Sequence, residues 1–107
     1  MLFQKMKTII IVGAGEFGMG LANRLSTRNT RMIVIDLTEE AFHRLPGGFA
    51  GEQVLGDGTD AELLRKAGIS QAQIFVAATG DDNVNLLAAQ IAGRIFHVPE
   101  VFFKIKR

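Results

Sequence analysis

The chain has 107 residues, 48% of them hydrophobic, a net charge of +1 and no cysteine. That length suits one domain, residues 1–107, with no space for a cofactor domain beside a substrate domain, and the lack of cysteine removes disulfides and thiolate metal sites. The balanced charge makes no case for nucleic acid, despite a small basic end at Lys104, Lys106 and Arg107, and no segment is long and apolar enough to cross a bilayer. The opening Met-Leu-Phe-Gln-Lys-Met has no export-signal pattern, so the expectation is a soluble, cytoplasmic protein without direct membrane insertion.

Thr8 to Val12 is a continuous β-branched run bounded by glycine, the pattern of a strand buried on both faces of a parallel sheet. A helix is predicted over Glu16 to Ser26, with Phe17, Leu21, Ala22 and Leu25 on its buried stripe. Met32 to Ile35 reads as a second strand ending at Asp36. Thr38 then caps a helix with Glu39 and Glu40 in its first turn, which stops near Leu45 before Pro46-Gly47-Gly48. Gln53 to Leu55 is a short third strand. Thr59-Asp-Ala-Glu62 has capping-box spacing, which places Ala61, Leu63, Leu64 and Ala67 on a third helix ending at Gly68. Ile74 to Ala78 is a fourth buried strand. The longest helix is predicted from Asp82 to Phe96, with Val84, Leu87, Ala88, Ile91 and Ile95 on one stripe that Leu86, Ala89 and Ala92 widen. Glu100 to Lys106 alternates as a fifth strand near an edge, with Val101, Phe103 and Ile105 on one face and Phe102, Lys104 and Lys106 on the other.

Five strands alternating with four helices imply a Rossmann-like α/β fold: an open parallel sheet in the order 3-2-1-4-5, between two helix layers. Its ligand crevice lies beyond the carboxyl ends of strands 1 and 4. Each strand there ends in residues that suit one ligand. Gly13 permits the tight turn, Gly15 admits a pyrophosphate, and Gly18 lets the helix pack close to the sheet. Asp36, followed by Leu37, stands some 20 residues on, placed to accept hydrogen bonds from a ribose and to repel a 2′-phosphate, which favours NAD over NADP. Asp57-Gly58-Thr59 and Ala77-Ala78-Thr79-Gly80 end strands 3 and 4 and are able to line an adenosine pocket. Turn formation and capping alone also explain Asp57, Thr59 and Asp60, and Asn83 and Asn85 read as polar helix positions. His43 and His97 read as surface residues. Ser26 and Ser70 have no histidine partner in the pattern, so nothing marks an acid-base pair.

Together, Gly13-Ala14-Gly15-Glu16-Phe17-Gly18, Val34-Ile-Asp36, Gly56-Asp-Gly-Thr-Asp60, Ala67-Gly-Ile69 and the run from Ala77 to Leu86 resemble the RCK N-terminal domain, also called the Trk-type or KTN domain. The likeness extends from about Lys7 to Lys106. It implies a cytoplasmic regulatory domain that binds NAD or NADH, or else ATP, ADP or AMP, and controls potassium transport through a channel or transporter subunit in the membrane. By the same resemblance Gly13 to Gly18 hold the phosphates, Asp36 the ribose, Asp57 and Gly58 the adenosine side, Ala78 to Gly80 the opposite wall, and Lys104 reaches toward the nucleotide. Glu16 stands where some ATP-responsive relatives have arginine, and an anion there disfavours a triphosphate. The family's sixth strand and C-terminal ligand domain have no counterpart in these residues, so a homodimer or higher ring is expected to cover strand 5. The alternatives are a fragment of an NAD-dependent oxidoreductase and a scaffold domain with a vestigial pocket.

Overall fold

The computed structural model describes residues 6–43, 49 and 51–106. Its elements are β1 (Lys7–Val12), α1 (Glu16–Leu25), β2 (Thr30–Asp36), α2 (Glu39–His43), β3 (Glu52–Leu55), α3 (Ala61–Ala67), β4 (Ala72–Ala77), α4 (Asp82–Gln90) and β5 (Glu100–Phe103). The helix stop expected near Leu45 lies outside the described residues.

All strand pairings are parallel, in the order β3-β2-β1-β4-β5, as the Rossmann-like reading requires. The central strand follows from its sequence: every residue of β1 after Lys7 is buried, because helices cover both faces. Ile9 and Ile11 turn to one side with Met32, Val34 and Val76, under Met19 and Ala22 of α1 and Ala41 and Phe42 of α2. Ile10 and Val12 turn to the other with Ile33, Ile35 and Phe75, under Leu64 of α3, Ala88 of α4 and Ala92 just beyond it. Each valine, leucine, isoleucine, methionine or phenylalanine among them contributes about 1.5–3 kcal/mol when fully buried.

Several helical details differ from expectation. Phe17 is 51% exposed, and α1 buries Gly18, Met19 and Ala22, so the close approach is made by small residues and one methionine. The hydroxyl of Thr38 turns back to Asp36 at 3.2 Å. The cap of α3 is Asp60, whose Oδ1 accepts from the Glu62 and Leu63 amides at 3.0 and 3.3 Å, while the Thr59 hydroxyl donates to Asp57 at 2.7 Å. Glu62 instead pairs with Arg65. The helix ends at Gly68 as expected, in a left-handed conformation at φ +101.

The buried face of α4 is Asn85, Ala88 and Ala89, continued by Ala92 of the single wide π-turn over Ile91–Ile95, whereas Leu87 and Ile95 are 48% and 55% exposed. Alanines rather than leucines of this helix face the sheet, in the same cluster as Phe75. Strand β5 stops at Phe103, three residues short of Lys106. Of its expected apolar face only Val101 packs on the core, leaving Phe103 and Ile105 exposed, and Phe102 of the other face is exposed as well.

Candidate functional site

The sheet order reverses at β1: the chain leaves it for β2 and β3 on one side and returns on the other as β4. Loops after β1 and β4 therefore separate, and a crevice opens between them. Hydrogen bonds continue past the strand ends and fix its floor. The Gly13 amide donates to the Ile35 carbonyl and the Ala78 amide to that of Val12, both at 2.7 Å, and the Gly56 amide donates to Asp36 at 2.9 Å.

A cleft of about 320 Å³ occupies this position, lined by Gly13, Gly15, Asp36, Leu37, Asp57, Gly58, Ala78, Thr79 and Gly80 from the expected set. Val12, Ile35, Thr38, Ala41, Gly56 and Val84 complete it. Ala14, Gly18 and Ala77 are buried and do not line it. Glu16 is exposed at the start of α1 and does not line the cleft. Phe17 and Lys104 are not brought into it either: they line a separate apolar groove, with the Lys104 ammonium 5.2 Å from the centre of the Phe17 ring.

The three fingerprint glycines have distinct roles. Gly13 has φ +111, and a Cβ there would stand 2.7 Å from the Ala78 carbonyl oxygen, so the turn is pressed against the end of β4. At Gly18 a Cβ would meet the Gly13 carbonyl oxygen at 2.0 Å, which forces glycine where α1 crosses the turn. Gly15 has nothing within 4 Å of where its Cβ would be. Its lack of a side chain serves the open cleft rather than packing.

Gly15 is also the N-cap of α1 and leaves the first-turn amides without a side-chain partner, whereas Asp60 caps α3 and Asp81 caps α4. Uncapped amides at a helix start carry partial positive charge and bind anions. No lysine or arginine is among the described residues lining the cleft, so an anion there is met by backbone.

At the end of β2 the Asp36 carboxylate is held from both sides. Oδ2 accepts from the Ala14 amide at 2.8 Å, and Oδ1 accepts from the Thr38 amide at 3.0 Å. Carboxylate oxygens thus fixed retain lone pairs for a ligand's hydroxyls. Asp57 Oδ1 accepts from the Thr59 hydroxyl and, at 2.8 Å, from its amide. These bonds, the hydroxyl's first, hold its carboxyl below the ordinary value of 3.8.

One residue at the cleft escaped the sequence reading. Asn85 is fully buried and makes four hydrogen bonds. Its Oδ1 accepts from the Thr79 hydroxyl at 2.6 Å and the Thr79 amide at 2.9 Å, and its Nδ2 donates to the carbonyls of Thr79 and Lys104, both at 3.0 Å. The signal was its phase, three and seven residues before Ala88 and Ala92 on the buried face.

The TrkA-N domain profile matches residues 9–107. The chain belongs to the TrkA-N domain family. Among its relatives are the Trk system potassium uptake protein TrkA of Streptomyces coelicolor, 39% identical over 91% of this chain and 44% of that protein, and the TrkA homolog of Methanothermobacter thermautotrophicus, 33% identical over 91% and 44%. The chain therefore spans less than half the length of these curated relatives. Among solved structures, the RCK domain of GsuK superimposes with a TM-score of 0.73 at 29% identity, over 90% of this chain and 20% of that one. The TrkA-N domain of the Escherichia coli inner membrane protein YbaL gives a TM-score of 0.77 at 17% identity, over 94% and 74%, which supports the TrkA-N fold alone. The family assignment and strand order thus agree with the resemblance, and among the described residues of this TrkA-N chain no helix is long and apolar enough to cross a membrane.

Proposed function

We propose that this chain is a nucleotide-sensing regulatory unit of a potassium-transport system, cytoplasmic and acting through a channel or transporter subunit in the membrane. Residues 1–107 act together as one binding domain. Relatives named as Trk potassium uptake proteins and the RCK domain of the GsuK structure support the transport assignment. The observation that carries the binding assignment is the uncapped start of α1 at Gly15, at a cleft that Asp36 also lines.

The residues present fit a nucleotide. The amides following Gly15 take its phosphates, Asp36 its ribose, and Leu37, Asp57 and Gly58 face Ala78 to Gly80 across the adenosine. NAD or NADH is the favoured ligand, since Glu16 at the start of α1 repels the extra charge of ATP; ADP and AMP remain candidates on the same chemistry. The ligand is sensed and not transformed. Both cleft carboxylates, Asp36 and Asp57, are engaged by local amides and hydroxyls, as suits positioning rather than proton transfer.

Calorimetric titration with NAD, NADH, ATP, ADP and AMP tests this. Saturable binding is expected, with NAD or NADH tighter than ATP, and Asp36→Ala should weaken NAD by about tenfold or more, as loss of a charged hydrogen-bond partner does. No binding at millimolar ligand would leave only a scaffold role. Turnover of NADH with carbonyl substrates would replace the sensor by an oxidoreductase fragment.

A further inference from the structure

We propose that Asn85 is a positioning residue which ties the cleft wall at Thr79 to the exit of β5, so that a ligand pressing on this wall is felt at Lys104 and Lys106. The proposal rests on the nucleotide reading of the cleft only for the identity of that ligand.

The Asn85 side chain spends all its ordinary bonding capacity on two segments that are otherwise remote in sequence. Three of its bonds go to Thr79, which lines the cleft, and the fourth goes to the Lys104 carbonyl, 19 residues on. Because the amide is fully buried, a movement of Thr79 that broke these bonds would leave polar groups unsatisfied, at about 1–3 kcal/mol each. The cheaper response is for both segments to move together. A second tie runs parallel: the Asp82 carboxylate accepts from the Lys106 amide at 3.0 and 3.2 Å, while Asp81 caps the same helix start. The Lys104 amide in turn donates to Ala77 at 2.9 Å, directly before the cleft wall.

The segment so held also touches the helix that starts at the cleft. The Lys104 ammonium lies over Phe17 in the first turn of α1, and Phe102 and Ile105 beside it are exposed. The state of the cleft is therefore communicated to the exposed apolar residues at the β5 edge.

Amide hydrogen exchange of the whole chain tests the link without any ligand. Thr79→Val removes the hydroxyl bonded to Asn85 and should speed exchange at Lys104 and Lys106 by about three- to tenfold, the effect of one hydrogen bond, with Ile10 and Ile33 unchanged. Thr79→Ser should restore the wild-type rates. Equal acceleration at all four amides, or none at Lys104 and Lys106, would overturn the link, because a purely structural loss does not single out β5. If Thr79→Val proves too unstable, Asp82→Ala on the surface should release Lys106 alone. In the second arm, NAD at saturation by calorimetry should slow exchange at Lys104 and Lys106, and unchanged rates would overturn the coupling. If NAD does not bind but Thr79→Val acts as stated, the network stands and the nucleotide assignment falls.

Discussion

Gly13 and Gly15 differ in what they lack a side chain for. Gly13→Ala forces a Cβ against backbone at a positive φ, neither of which relaxes cheaply, so it should cost about 2–5 kcal/mol in denaturant unfolding. Gly15→Val meets open space and should cost less than about 1.5 kcal/mol, yet weaken NAD measurably in titration. If Gly15→Val bound NAD as wild type does, the phosphate seat would be misplaced. Asp57 gives a pH signature at the same scale. Its carboxyl is lowered in the folded state, so the stability it adds is complete above the unfolded value and disappears as pH falls through the folded one. Thermal melts taken down through pH 3.8 should show wild type losing more stability than Asp57→Asn; parallel curves would mean the Thr59 bonds do not persist in solution.

At the scale of elements, the strands were the legible part, since β1, β2 and β4 are β-branched runs and burial on both faces leaves a sequence little other way to look. Helix faces were less legible. Periodicity assigned Phe17, Leu87 and Ile95 to the core because it weighs size, whereas the sheet admits small residues such as Ala22, Ala88 and Ala92, and the wide turn at Ile91–Ile95 shifts the phase of everything after it. Caps were misread for a similar reason: Thr59 and Asp60 are both good capping types one residue apart, and the Asp57 turn occupies the Thr59 hydroxyl first. Asp60→Ala should therefore cost about 1 kcal/mol in chemical unfolding, with Thr59→Ala acting through Asp57 instead. An equal loss of α3 in both variants, followed by helix-resolved exchange, would return the cap to Thr59. In the cleft, the turn glycines and Asp36 stood out in sequence because they match the spacing of a dinucleotide fingerprint, whereas the Asn85 network joins Thr79 to Lys104 through a residue that no such pattern marks.

For the molecule as a whole, the unresolved demand is the β5 edge. Among the described residues this strand pairs with β4 alone and has no partner strand on its outer side, and Phe102 is 54% and Ile105 60% exposed beside it. Together with Phe17, Leu21 and Leu25 of α1 they border a groove of about 570 Å³ that is mainly apolar. Unpaired edges with apolar side chains associate unless charge or cover prevents it, and here Lys104 is drawn back over Phe17 instead of guarding the edge. Self-association through this surface is the expected consequence, and its symmetry would be that of a closed pair or ring. Sedimentation should show wild type heavier than one chain, and Phe102→Lys with Ile105→Lys should return it to monomer with an unchanged far-ultraviolet spectrum. A wild type that sediments as a single chain at every accessible concentration would overturn that association. If association does use this edge, NAD should also shift the monomer–oligomer balance, because Lys104, tied through Asn85 to Thr79, stands two residues from Phe102.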